Sequence, residues 1–481
     1  MALDLVVELC RMLEAKRIDY CHWKSNTFLD RSASGANDLD LLINRSHAQC
    51  FLEVLFGLGF KETLLPKEEE LPGVRNYYGY DRKTGRLVHV HAHFQLIGGS
   101  DLSKNYHLPL EQIYLRSSVQ GDLFRVPSPA FELVVFVIRM VLKHSTWDSI
   151  LMRHGSLSSS EQHELEDLGA EGTLSKVDKV LPYFPGLSRS LFDLCLLSLQ
   201  PGCPYWTRVK AGEQLQHALQ ACSRYPHWID ILLKLFRRVW QPILMRGFRY
   251  TPKNRFANGG LLMAIVGGDG AGKTTLIDDL YSWLSGKFEV QKVHMGKPEW
   301  SWATFLIRGT LKLGTLLHLY RFEGDVYEEF HQPHGYPWFL RSVCTARDRY
   351  LTYIRARRIA SNGGLVLCDR FPFPGFMAMD GPECEQAIFS LKKVSWFHHF
   401  LARMEKSYYE RINLPDVLVV LRLMPEHAVQ RKRDESEISV YARSTEVWER
   451  DWSEKQAIVI DASLSKEEVV TLGRALLWAH L

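Results

Sequence analysis

Gly267-Gly268-Asp269-Gly270-Ala271-Gly272-Lys273-Thr274-Thr275 decides how the second half of this 481-residue chain is read. The apolar run at 261–266 just before it suits a strand buried on both faces. Residues 276–284 follow with apolar side chains at helical spacing. Strand, GxxxxGK[ST] loop and helix, in that order, are the context of a phosphate-binding loop. Gly267, Gly270 and Gly272 let the backbone curl so that successive N–H groups face an anion, and the helix N-terminus adds its positive end. Lys273 brings a full charge toward the outer phosphates and Thr274 a hydroxyl suited to Mg²⁺, with Ala271 and Thr275 completing the loop. The expected ligand is a nucleoside triphosphate.

The length calls for two or three domains. A 46% hydrophobic and 24% charged composition is that of a globular chain, and a net charge of +4 argues for neither a nucleic-acid partner nor a membrane surface. The nine cysteines are scattered without a CxxC pair, which fits a reducing cytoplasm better than a disulfide scaffold or zinc site. The acidic start at Asp4 reads as no signal peptide. The longest apolar run, 131–142, is broken by Glu132 and Arg139 and is too short to span a bilayer. These features predict a soluble cytoplasmic protein with no integral membrane segment and no nucleic-acid partner; a homodimer is compatible with them.

Behind the phosphate loop, further strands read at 289–294, 365–368, 416–423 and 457–461, alternating with helices at 425–433 and 466–478. That alternation predicts an α/β domain with a doubly wound parallel sheet. Asp369 ends a buried strand expected beside the loop's strand, where Mg²⁺ and the attacking group must be organised. Phosphoryl transfer also needs cations around the migrating group beyond one lysine, and Arg431 and Arg433 stand on a basic segment able to supply them.

The order of parts over residues 258–481 resembles the thymidylate kinase family of P-loop kinases. The resemblance rests on residues 268–275, Ala346-Arg347-Asp348-Arg349, Cys368-Asp369-Arg370-Phe371, Pro415-Asp416, Arg431 with Arg433, and Ile460-Asp461-Ala462-Ser463. It implies ATP and Mg²⁺ as cofactors, with Thr274 and Asp369 at the metal and Lys273, Asp369, Arg431 and Arg433 as catalytic groups. It further implies Arg349 and Arg370 on the acceptor's anionic group and Asp269 on an acceptor hydroxyl. That family carries a catalytic arginine in the loop or in a lid; residues 268–271 hold none, which leaves the lid. The acceptor side departs from the family, since its Arg-Glu-Pro-Gly stretch appears only as Gly296-Lys297-Pro298-Glu299. The aromatic and basic run after it, with Trp300, Trp302, Phe305, Arg308, Lys312, His318, Tyr320 and Arg321, suits a sugar, a sugar phosphate or a lipid-linked glycan, or else forms a helical pocket wall.

In the first third, residues 37–43 alternate at period two, so Asp38 and Asp40 share a strand face and can chelate Mg²⁺. A second strand at 86–94 puts His89, His91 and His93 on one face. Residues 1–125 resemble the nucleotidyltransferase superfamily in its small form, with the turn at Lys24-Ser25 and the DxD at Asp38 and Asp40. Lys24 replaces the family's glycine, and His89 stands where a third carboxylate is implied; imidazole suits Zn²⁺ or Mn²⁺ better than Mg²⁺. Asp38, Asp40 and His89 thus form a second candidate site, which either recognises the acceptor or transfers a nucleotide.

Residues 129–256 read as a helical connector: a core helix at 129–143, a capping box at Ser158–Glu161, and helices at 191–199 and 214–221. Lys234, Arg237, Arg238, Arg246, Arg249, Lys253 and Arg255, with no acidic residue among them, read as a linker helix with snorkelling cations rather than a membrane or polyanion surface. The predicted organisation is an α+β nucleotidyltransferase-like domain at 1–128, the connector at 129–256 and the P-loop kinase domain at 257–481. The function it implies is ATP-dependent phosphoryl transfer to a small-molecule acceptor: a nucleoside monophosphate, sugar or sugar phosphate. The alternatives are a nucleotidyltransferase whose P-loop domain is a regulatory ATP switch, and a nonenzymatic nucleotide-gated assembly protein.

Overall fold

The computed structural model describes residues 1–67, 69–146, 150, 156–247, 253–317, 335–373, 381–389, 391, 393–432, 435–453 and 456–481, with the backbone alone at 241, 244, 246, 314 and 315. Arg433, Arg249, His318, Tyr320 and Arg321, and the side chain of Arg246, lie outside the described residues. The chain divides into two compact units, Met1–Pro252 and Lys253–Leu481.

The first unit begins with helix α1 (Asp4–Ala15) and strands β1 (Tyr20–His22) and β2 (Leu39–Ile43). Helix α2 (Ala48–Gly57) and strands β3 (Lys61–Leu64), β4 (Val74–Asp81) and β5 (Arg86–His93) follow. Strand β2 runs antiparallel to β1 and parallel to β5; β4 pairs antiparallel with both β5 and β3. Period-two alternation sends Leu39, Leu41 and Ile43 into a core with Val6, Leu9 and Leu13 of α1. Leu42, on the opposite face with Asp38 and Asp40, joins Cys21 and Trp23 in a second core.

That second core is built around helix α3 (Pro129–His144), whose side chains are buried almost all the way round, Leu133 through Ile138 without a break. A helix apolar on every side belongs inside a unit rather than between two. The expected connector from 129 onward is therefore not separate: α3 and the helices Arg189–Ser198 and Tyr205–Ala218 pack into the first unit. The capping box at Ser158 is present, its hydroxyl accepting from the Glu161 amide.

In the second unit, strands β6 (Leu261–Gly267), β7 (Val290–His294), β8 (Leu365–Asp369), β9 (Val417–Arg422) and β10 (Ile458–Asp461) form one sheet in the order β7-β8-β6-β9-β10. Every pairing in it is parallel. Both faces of β6 are buried. Leu262, Ala264 and Val266 share a core with Tyr353, Ala356 and Ala360, while helix α4 (Lys273–Leu284) contacts β6, β7 and β8. The residues from Tyr336 to Ser361 make one long helix, α5, which apolar periodicity did not foretell. Helices α6 (Pro425–Arg431), α7 (Glu437–Glu449) and α8 (Lys466–His480) complete the elements used below. Among the described residues no helix is long and apolar enough to cross a membrane.

If α3 is the centre of the first unit, Leu133→Ala leaves a cavity and should lower stability by about 2–5 kcal/mol. Urea unfolding of the full chain measures this in the first unit's transition. A loss within about 0.5 kcal/mol, the usual size of a surface change, would return α3 to the status of a connector.

Candidate functional site

The glycine-rich loop at 267–272 joins β6 to α4. Gly270 and Gly272 sit at φ 75° and 90°, a left-handed backbone that glycine adopts without steric cost. Lys273, the first residue of α4, is buried, and its Nζ donates to the carbonyls of Gly267 at 3.0 Å and Gly268 at 2.8 Å. Burial pushes its ammonium pKa down, against the pull of Asp269.

Strand β8 aligns with β6 so that Asp369 lies opposite Ile265. That register brings Asp369 to the loop, where the Thr274 hydroxyl donates to its Oδ2 at 3.1 Å. The other carboxylate oxygen, Oδ1, is buried without a hydrogen-bond partner. A buried lone-pair oxygen beside a hydroxyl is a donor set that fits Mg²⁺, which takes hard oxygen ligands.

Asp269 is bracketed by arginines. Its Oδ2 lies 2.9 Å from Arg443 on α7 and its Oδ1 lies 3.6 Å from Arg370. Burial raises its carboxyl, but the Arg443 hydrogen bond and the charges of Lys273, Arg443 and Arg370 outweigh burial and hold it below the usual range. Arg370 stands at φ 63°, a left-handed backbone that costs a side-chain-bearing residue about 1–2 kcal/mol.

A cavity of about 1030 Å³ runs along these groups. Asp269, Lys273, Thr274, Asp369, Arg370 and Arg431 all line it. Arg431 donates to the Ala462 carbonyl at 3.1 Å and to Gly270 at 3.5 Å. Arg349 does not reach the cavity. It is buried, and its guanidinium donates to the carbonyls of Met295 and Gly296 at 2.9 and 3.2 Å and to the Tyr409 hydroxyl. It holds the turn after β7 in place. Lys297, Arg308 and Arg341 do line the cavity. Arg308 lies 4.4 Å over the Trp300 ring, and burial together with the charge of Arg341 pushes its pKa down. Asp348, also in the wall, accepts the Ser301 amide at 3.3 Å and keeps its buried Oδ2 without a partner.

Sequence reading passed over Arg443, Arg341 and the Asp348 carboxylate. Arg341, Thr345 and Asp348 are spaced i, i+4, i+7, one face of a helix, and that spacing was the available signal. Arg443 has none, because only the fold brings it to Asp269.

The second candidate site lies within the first unit. Pairing β2 with β5 sets Asp40 opposite His91. His89 Nδ1 lies 2.8 Å from Asp38 Oδ1, and His91 and His93 stand beside them, each 3.3 Å from Asp40 Oδ1. Lys24 Nζ lies 2.9 Å from the same oxygen. Burial raises the Asp40 carboxyl, but the Lys24 charge and the two imidazole hydrogen bonds hold it well below the usual range. Burial pushes the His93 imidazole down to about 4. Ser25, at φ 59°, gives its amide to the Glu164 carboxylate at 3.1 Å, and Asn26 donates to Glu132 at 2.7 Å. Burial pushes Glu132 up to about 7. Lys24, His91 and His93 line a cavity of about 910 Å³.

No protein-family model and no curated protein matches the chain. Among solved structures, deoxyadenosine kinase from M. mycoides with bound dATP is similar at a TM-score of 0.28 and 16% identity, over 45% of this chain and 99% of that one. A likeness that slight carries no function, which has to come from the side chains.

The Asp269 pairing sets a pH dependence. Its carboxyl titrates lower in the folded chain, so the pairing adds stability above the ordinary value of about 3.9 and loses it as pH falls through the lower folded value. Arg443→Gln should therefore reduce stability at neutral pH and have little effect in acid. Urea unfolding of both proteins at the two pH values compares them; an equal loss in acid would assign the effect to packing.

Proposed function

We propose that the second unit transfers the terminal phosphoryl group of ATP to an anionic, hydroxyl-bearing small molecule. The observation that carries this reading is one cavity with two kinds of wall: Lys273, Thr274 and Asp369 for a triphosphate, and Arg308, Arg341 and Asp348 for an acceptor. A nucleoside monophosphate and a sugar phosphate both meet that description. A thymidylate kinase-like reaction fits the phosphate side, while Trp300 and Arg308 change the acceptor wall.

Lys273 exchanges its two loop carbonyls for phosphate oxygens, and the loop amides at the start of α4 take the remaining charge. Thr274 and Asp369 would hold Mg²⁺, which neutralises phosphate charge when bound. Arg431, with its neighbour Lys432 in the same wall, supplies positive charge where it develops on the migrating group. Arg370, Arg308 and Arg341 take the acceptor's anion, and the unpartnered Asp348 Oδ2 accepts its hydroxyl. Asp269 holds Arg370 in place. Arg349 acts through the turn it supports.

For the first unit we propose recognition rather than nucleotide transfer. The Ser25 amide already serves Glu164, and Lys24 already neutralises Asp40, so the turn and the carboxylates have fewer groups left for a triphosphate with two Mg²⁺ ions.

Transfer of labelled γ-phosphate to nucleoside monophosphates and sugar phosphates tests the reading. Lys273→Ala should cut turnover on the order of a thousandfold with the fold intact, and undiminished turnover would end the kinase reading. Arg431→Ala should lower the catalytic rate by roughly a hundredfold with KM for ATP little changed. Asp348→Asn should raise KM for the acceptor and leave that for ATP alone; the opposite pattern would place Asp348 on the nucleotide.

A further inference from the structure

The side chains gathered on β2 and β5 have no part in the phosphoryl transfer proposed above, and two of their spacings match those between the ligands of one metal ion. Asp40 Oδ1 lies 3.3 Å from His91 Nδ1 and 3.3 Å from His93 Nε2. Ligands held tetrahedrally at about 2.0–2.1 Å from a metal stand about 3.3–3.4 Å from one another. The donor atoms of Asp40, His91 and His93 all lie within 4.8 Å of each other, and His91 belongs also to a second such group with Asp38 and His89.

His89 has partners on both ring nitrogens: Nδ1 lies 2.8 Å from Asp38 Oδ1 and Nε2 3.1 Å from Asn76 Oδ1.

The rings are held in advance of any ligand. His89 stacks on Tyr78 at 4.1 Å and 2° between planes, and His93 lies edge-on to Trp23 at 5.0 Å. The amide oxygen of Asn76 on the far nitrogen of His89 is the kind of outer partner that fixes a ligating imidazole.

We propose that Asp40, His91 and His93 bind a divalent transition cation of the Zn²⁺ class, with Asp38 and His89 beside them. Two imidazoles and one carboxylate make an open ligand set, which leaves a coordination position for a water or a substrate oxygen. His91 and His93 line the cavity of about 910 Å³, from which that fourth ligand would come. The set differs from the hard-oxygen clamp that a DxD strand implies, because two of its three ligands are nitrogens from β5. Lys24 opposes the metal: its ammonium draws on the same Asp40 oxygen at 2.9 Å.

The test uses the full chain, stripped with a chelator and titrated with CoCl₂ in excess MgCl₂, so that the phosphate loop is already supplied. One equivalent of Co²⁺ should produce the intense visible absorption of a low-coordinate site, and ZnCl₂ should displace it. His91→Gln and Asp40→Asn should each weaken binding by more than about a hundredfold, beyond what loss of an outer partner gives, with circular dichroism unchanged. Lys24→Met should tighten binding by removing the competing charge. Absence of the absorption, its survival in both ligand variants, or no tightening in Lys24→Met would overturn the site. None of these outcomes bears on labelled phosphate transfer, so the two readings fail separately.

Discussion

The second unit depends on the alignment of β8 on β6, which sets Ile265 opposite Asp369. In a parallel sheet all strands end at the same edge, and strands covered on both faces can carry polar groups only at their ends. Asp369 and Arg422 both stand at strand ends for this reason. One register therefore fixes both the Thr274–Asp369 contact and the point at which Arg370 turns toward Asp269. Slipping it by one residue would send Asp369 to the other face of the sheet and leave the loop without its carboxylate.

The first unit uses a parallel pair too, but on a face that α3 covers beside Leu42. Charged groups on such a face must be matched one by one, since an unpaired buried charge is far more expensive than a paired one. Asp40 is matched by Lys24 and two imidazoles, Glu164 by the Ser25 amide, and Glu132 by Asn26. The polar side of this unit is a connected network rather than an open electrostatic surface.

How much of this was legible follows from burial. The strands of the second unit were readable because doubly covered strands are continuous apolar runs, and the loop because its spacing is chemical. Strand β4 was not: Asn76, Tyr77, Tyr78, Gly79, Tyr80 and Asp81 show no apolar alternation, yet all are buried. Helix α5 was hidden by Arg341, Arg347, Arg349, Arg355, Arg357 and Arg358, of which Arg349 is buried and Arg347 and Arg357 half-buried, so that the apolar period is broken. Arg349 was placed on a ligand because the family resemblance implied it, whereas here two backbone carbonyls and the Tyr409 hydroxyl take its donors. Helix α3 was recognised as core, but continuous apolarity says nothing about which core. His91 and His93 were seen on the face of His89; only the pairing of β2 with β5 shows that they converge on Asp40.

The left-handed backbone at Arg370 sets two selections against each other. Glycine or asparagine would sit there with less strain, so variants chosen in the laboratory for heat resistance alone should accumulate them. Variants chosen for turnover should keep arginine, because neither replacement brings a charge to Asp269 or to the cavity. A residue that one screen discards and the other retains carries work the folded state does not need, and at Arg370 that difference could be read from sequences alone, before any ligand is known.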